Sequence, residues 1–191
     1  MIDRKHKFIF VHIPRTGGSS IEISLGRGLG TLKGNNTVIG TFQDKHWTCS
    51  NYKAENPSEW KSFFKFSFVR NPWDRAISTY EWLKMHKTHP HRTTDSFKKW
   101  LLSIKPNCNS YKTQSEYINE TIDFVGRYEN LHEDWAYVQG KIFPLGHKPA
   151  PLPHINKTKR HGDYHDKETI DFVSNYYREE IESYGYKSPE L

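Results

Sequence analysis

The stretch Phe8-Ile9-Phe10-Val11-His12-Ile13-Pro14-Arg15-Thr16-Gly17-Gly18-Ser19-Ser20 says most about the architecture. Its first four residues form an apolar run of strand type, and a helix is predicted to start near Ser19 or Ser20. A turn with proline and paired glycines lies between them. A strand that passes through such a turn into a helix aims consecutive backbone N–H groups at one place. The positive end of the helix dipole faces that same place. Gly17 and Gly18 let the backbone come close to a ligand. Thr16, Ser19 and Ser20 add hydroxyl donors. Arg15 adds a permanent cation whose planar fork suits phosphate or sulfate oxygens. The segment therefore reads as an anion cradle for a phosphorylated or sulfated small molecule. The plainer alternative is an ordinary strand-turn-helix with a solvated arginine.

The cradle differs from a Walker A loop. That loop needs Gly, four residues, then Gly-Lys-Ser/Thr, with the hydroxyl on Mg²⁺. Here Ser19 follows Gly18 and the loop is short. A metal-dependent ATPase or GTPase is disfavoured on that ground.

Further along the chain, Phe64-Lys65-Phe66-Ser67-Phe68-Val69-Arg70-Asn71-Pro72-Trp73-Asp74-Arg75 reads as a second strand running into a second helix. Phe64, Phe66 and Phe68 alternate as strand residues do. Asn71 suits an N-cap, Pro72 the first helical position, and Asp74 the first turn. Arg70 thus sits at the strand end where open α/β sheets bind ligands, and Ser78 lies two turns into the helix.

Four stretches in this order carry a resemblance. His12 to Ile21 resembles the 5′-phosphosulfate loop of sulfotransferases that use 3′-phosphoadenosine 5′-phosphosulfate (PAPS). Phe66 to Tyr80 resembles their 3′-phosphate motif. Asp123 to Leu131, with Arg127-Tyr128-Glu129-Asn130-Leu131, is similar to the family's Arg-Phe/Tyr-Glu-Asn-Leu strand and turn. Leu152 to Lys159, with Asn156-Lys157-Thr158, is similar to its Asn-Lys-Ser loop, which closes over the donor. The branch resembled is the carbohydrate one, with its heparan 2-O-sulfotransferase-like enzymes. The resemblance implies a P-loop-like sulfotransferase fold. It implies donor contacts from Pro14, Arg15, Thr16, Gly17, Gly18, Ser19 and Ser20 at the 5′ end. Arg70 and Ser78 are implied at the 3′-phosphate, and Arg127, Lys157 and Lys159 elsewhere on the donor. Arg15 stands where the family usually has Lys. The role implied there is catalytic: contact with the oxygen bridging phosphate and sulfate, and stabilisation of its charge as the sulfuryl group leaves. Gln114-Ser115-Glu116-Tyr117-Ile118 also follows the family pattern and is expected on the acceptor side.

Sulfuryl transfer, like phosphoryl transfer, asks mainly for positioning and charge stabilisation. The acceptor hydroxyl must also lose a proton, so a base is needed near the cradle. His46 is the candidate. It follows the predicted strand Val38–Phe42, and related 2-O-sulfotransferases use a His in a matching place. An unperturbed histidine titrates near pH ~6.5, which suits a base at neutral pH. Glu81 and Glu55 are held in reserve. The alternative is a surface histidine beside Trp47, since the chain has 11 His.

The chain has 191 residues, enough for a single domain over 1–191 with a real core. Apolar residues make up 35%, and aromatics, at 15%, carry much of the burial. The net charge of +6 suits an anionic donor and an anionic glycan acceptor. It suits nucleic acid too, but no zinc signature, recognition-helix pattern or sustained basic-aromatic run supports a nucleic-acid reader. No apolar run is long enough to span a bilayer. Cys49 and Cys108 make no disulfide framework, and the reading is cytoplasmic. No metal is expected to be required: the histidines of Met85 to Arg92 have mixed spacing broken by Pro90. Residues 26–36 read as a glycine-rich loop, and residues 146–165, with three prolines and many basic residues, as a lid over the donor. Helices are predicted from Ser96 to Ile104, from Asn130 to Gln139 with a capping box of Asn130 and Glu133, and after Asp166.

Strand candidates Phe8–Ile13, Val38–Phe42, Phe64–Arg70 and Phe124–Tyr128 alternate with helices. That pattern means α/β with a mostly parallel sheet flanked by helices. The function expected is transfer of a sulfuryl group from PAPS to an acceptor hydroxyl of a carbohydrate, leaving 3′-phosphoadenosine 5′-phosphate. The alternatives are a non-catalytic binder of nucleotide or polyanion, and a P-loop-type small-molecule kinase.

Overall fold

A computed structural model describes residues 1–25, 38–39, 46–86, 89, 91–104, 112–145, 152–153 and 164–190. The predicted loop 26–36, the end of the predicted strand 38–42, Cys108, and the lid 146–165 apart from its described residues lie outside these. Contacts divide the chain into two compact units, Met1–Val69 with Glu116–Ile155, and Arg70–Ser115 with Asn156–Leu191.

The first unit holds a five-stranded sheet in the order β3-β1-β2-β4-β5. The strands are β1 (Ile2–Asp3), β2 (Phe8–Val11), β3 (Val38–Ile39), β4 (Phe64–Val69) and β5 (Phe124–Arg127). β2 pairs with β4 and β4 with β5 in parallel, in the registers Phe10↔Phe66 and Phe66↔Phe124. β1 pairs antiparallel with both β2 and β3. The sheet is therefore mixed. The four strands foretold from the sequence, β2, β3, β4 and β5, run in one direction, and β1 alone runs against them. β1 was not foreseen, because two residues beside the charged Arg4 and Lys5 show no period to read.

Alternation explains how the sheet is packed. Phe8, Phe10, Phe66 and Phe68 share one face and join Ile21, Trp135, Val138 and Ile142 in a buried cluster. Phe10 stacks on Phe66 at 5.0 Å between centroids, and Trp135 meets Phe66 at 6.3 Å. Trp135, Val138 and Ile142 come from α7 (Leu131–Ile142), which follows β5 after one 3-10 turn. The helix α1 (Gly18–Ser24) follows β2, and α2 (Cys49–Glu55) and α3 (Pro57–Ser62) precede β4. Ser67, on the other face of β4, donates its hydroxyl proton to Val11 O at 2.8 Å and ties the ends of the parallel pair together. Asn130 makes no side-chain cap at the start of α7, so the expected capping box there is absent.

The second unit is helical. It holds α4 (Pro72–Met85), α5 (Phe97–Leu102), α8 (Lys167–Tyr176) and α9 (Arg178–Tyr184). Trp73, Ile77, Tyr80 and Leu83 of α4 pack with Phe97, Trp100 and Leu101 of α5 and with Ile170 and Val173 of α8. Asn71 caps α4 as expected, accepting from Trp73 N and Asp74 N, with Pro72 in the first turn. Asp166 caps α8 and forms a reciprocal box with Thr169. The long helix expected after Asp166 is broken at Tyr177 (φ −108°, ψ 24°) into α8 and α9. A four-residue helix, α6 (Gln114–Tyr117), lies where the chain passes back to the first unit.

Candidate functional site

The turn after β2 takes the form its composition demands. Gly17 holds φ 87°, in the left-handed region. Arg15 holds φ 69°, an uncommon conformation for a residue with a Cβ. A Cβ on Gly18 would lie 2.2 Å from Cδ2 of the His12 ring, so only glycine fits there. α1 begins at Gly18, one or two residues earlier than expected. Ser20 N and Ile21 N donate to Gly17 O at 3.0 and 3.3 Å. The amides of Gly18 and Ser19 open the helix and have no intrahelical acceptor. Pro14, Arg15 and Ser19 are half-buried and Ser20 is buried. Thr16 departs from expectation. It is wholly buried and donates its hydroxyl proton to Ile13 O at 2.9 Å, so it braces the turn from within.

His46 is exposed, and its Nδ1 lies 3.1 Å from the backbone carbonyl of His12. A carbonyl only accepts, so Nδ1 carries the proton and Nε2 of the neutral ring carries the lone pair. The ring also meets the His12 ring edge to face at 4.9 Å. His12 itself is 3% exposed, and its Nδ1–H donates to Glu22 Oε1 at 2.8 Å. Glu22 is buried on α1. Sequence reasoning gave His12 and Glu22 no role. The signal was present: a carboxylate between Ile21 and Ile23, one helical turn beyond Gly18, has to meet a partner if it is buried. Arg127 is half-buried at the end of β5, where its N–H donates to Asp134 Oδ2 at 2.6 Å.

The remaining described candidates belong to the second unit. Arg70 follows β4 and is 9% exposed, and Ser78 on α4 is buried. Gln114, from the stretch expected on the acceptor side, is fully buried. Its Oε1 accepts from Arg70 N at 2.7 Å and its Nε2 donates to Arg70 O at 2.8 Å. Nε2 also donates to Glu180 Oε1 at 2.8 Å, and Gln114 N donates to Glu180 Oε2. Burial pushes the Glu180 carboxyl above the usual carboxylate range, while the Arg75 charge and hydrogen bonds from Gln114 and Ser115 pull it down. Glu180 could have been found in sequence, because it falls between Tyr177 and Tyr184 on the apolar stripe of its helix.

The reserve bases fare differently. Glu81 is buried on α4 and accepts a hydrogen bond from Tyr164 Oη at 2.6 Å. Glu55 is exposed at the end of α2. Lys157 and Lys159 lie outside the described residues. Among the described residues no group of three or more His, Cys, Asp or Glu could hold a metal ion. His86 and His89 pack on Trp82 at 4.2 and 4.7 Å between centroids. No helix among the described residues is long and apolar enough to cross a membrane. Cys49 is buried, which pushes its thiol up to about 12.

A family model described as the sulfotransferase family matches residues 1–187. A protein of Archaeoglobus fulgidus described as an uncharacterized protein is 33% identical over 82 residues, which cover 42% of this chain and 68% of that one. Among solved structures, the crystal structure of mouse sulfotransferase SULT7A1 complexed with PAP matches with a TM-score of 0.59. It is 14% identical, and the match covers 95% of this chain and 86% of that one, a likeness of fold.

Proposed function

The chain belongs to the sulfotransferase family, and we propose that it moves a sulfuryl group from PAPS to an acceptor hydroxyl, with His46 as the general base. One observation carries the assignment of the base: His46 Nδ1 docks on the carbonyl of His12, the residue that opens the cradle. That contact fixes the tautomer with its lone pair on Nε2. In the reaction, Nε2 takes the proton of the acceptor hydroxyl as its oxygen bonds to sulfur. The bond from sulfur to the phosphate-bridging oxygen breaks, and 3′-phosphoadenosine 5′-phosphate leaves with the electron pair.

The chain's own residues then divide the work. The backbone of Gly17, Gly18 and Ser19 and the hydroxyls of Ser19 and Ser20 face the 5′ end of the donor. Arg15 balances the charge that builds on the bridging oxygen. Its left-handed backbone sets the direction in which the side chain leaves the turn. Arg70 and Ser78 take the 3′-phosphate, and Arg127, Lys157 and Lys159 add donor contacts. The matched mouse sulfotransferase is complexed with PAP, the desulfated donor, which supports the same donor here. The acceptor is proposed to be a carbohydrate hydroxyl, supported by the resemblance to the carbohydrate branch and by the +6 charge. The setting is proposed to be cytoplasmic, supported by two cysteines that make no disulfide framework in the sequence.

His46→Ala should lower turnover about 100-fold or more. Its affinity for 3′-phosphoadenosine 5′-phosphate should stay within about twofold of the parent, because the base touches the acceptor and not the 3′-phosphate. Single-turnover transfer and calorimetry on the same preparation measure both. Full activity in the variant rejects His46 as the base.

A further inference from the structure

β4 ends at Val69, and Arg70 is the first residue to leave the sheet. Its peptide N–H and C=O meet one side chain. The Gln114 carboxamide accepts from Arg70 N at 2.7 Å and donates to Arg70 O at 2.8 Å. It thereby does for one residue what a neighbouring strand does for a hydrogen-bonded pair. Only a carboxamide offers both an acceptor and donors here. An ionised carboxylate has no proton for Arg70 O, and an aliphatic side chain would leave both backbone groups without this partner. A flip of the amide would set NH₂ against Arg70 N–H, and Glu180 fixes the orientation further. Glu180 Oε1 takes the second Nε2 proton, and its Oε2 takes the Gln114 peptide proton. Neither Gln114 nor Glu180 has any solvent exposure. Arg75 on α4 completes the brace. Its Nη2 donates to Lys112 O at 2.9 Å, two residues before Gln114, and its charge acts on Glu180.

We infer that Gln114, oriented by Glu180, is a positioning residue that fixes the backbone from which the Arg70 guanidinium projects, and so sets the protein's selectivity for a 3′-phosphorylated nucleotide. Gln114 acts through Arg70, since its own amide groups are engaged by the backbone of Arg70 and by Glu180. The inference rests on the reading of Arg70 as the holder of the 3′-phosphate.

The test is calorimetric titration of the 191-residue chain with 3′-phosphoadenosine 5′-phosphate and with 5′-AMP, which lacks the 3′-phosphate. The proteins are the parent, Arg70→Ala, Gln114→Met and Glu180→Gln, each checked for folding by circular dichroism. Gln114→Met keeps the chain length and removes both bonds to Arg70. It should lose about tenfold or more in affinity for the 3′-phosphorylated ligand and stay within about twofold for 5′-AMP. A merely structural role would weaken both ligands alike, and that result overturns the inference. Unchanged selectivity in Gln114→Met, with selectivity lost in Arg70→Ala, overturns the inference while sparing the reading of Arg70. A parent with no preference between the ligands, or an Arg70→Ala variant that keeps the preference, removes that reading and the inference with it. Should Gln114→Met not fold, Glu180→Gln decides the matter. It turns one acceptor oxygen into a donor against Gln114, so the same selective loss should appear, and its absence overturns the inference.

Discussion

At the scale of single residues, the cradle is a set of mutual constraints more than a set of donors. His12 is held by Glu22, its ring fills the space beside Gly18, and its carbonyl receives His46. The sequence shows the glycines and the arginine of the loop, because turn chemistry is local. It hides the His12–Glu22 pair, because burial of that pair depends on how β2 and α1 pack. Gly18→Ala tests the constraint. The added Cβ would come within 2.3 Å of His12 Nε2, and the ring cannot swing aside without leaving Glu22. The variant should lose roughly 1–3 kcal/mol, as overpacked sites do, read as a lower midpoint of urea unfolding. An unshifted midpoint would show that the His12 ring is free to move.

At the scale of elements, signals that lie within a few residues were legible. Asn71-Pro72 starts α4 and Asp166 starts α8, because caps are chosen by residues adjacent in sequence. Elements set by distant partners were not. β1 is a strand because β2 and β3 lie on either side of it, and the break at Tyr177 lets α9 carry Glu180 to Gln114. The pattern around Gln114 is visible in sequence but its bonds to Arg70 are not, since nothing near it in sequence announces Arg70. The α8 cap also gives a prediction about pH. The Lys98 ammonium, at 2.8 Å, and the Thr169 N–H hold the Asp166 carboxyl down to about 2, below its ordinary 3.8. A depressed carboxylate adds stability that is present above its unfolded value and lost as pH falls through its folded value. This contribution is therefore full above about pH 4 and fades toward pH 2. Unfolding midpoints followed over that range should fall more steeply for the parent than for Asp166→Ala. Parallel curves would mean that the cap does not titrate with the fold.

At the scale of the whole molecule, the alternation of apolar strands and helices was enough to give the α/β class, and the order of four motifs was enough to give the family. The mixed sheet was not visible, because the two residues of β1 are too few to show a period, and the division into two compact units was not, because it depends on contacts between distant segments. The proposed donor residues are spread along the chain, from Pro14 to Lys159, so donor binding is the property of the folded protein that tests them together. Everything proposed for the reaction depends on this protein holding a 3′-phosphorylated adenosine nucleotide as the sulfuryl donor. Calorimetric titration of the metal-free protein with 3′-phosphoadenosine 5′-phosphate, with 5′-AMP and ATP as controls, measures that property itself. Micromolar binding is expected, about −8 kcal/mol, at least tenfold tighter than 5′-AMP and unchanged by Mg²⁺. Binding of ATP alone, and only with Mg²⁺, would contradict it.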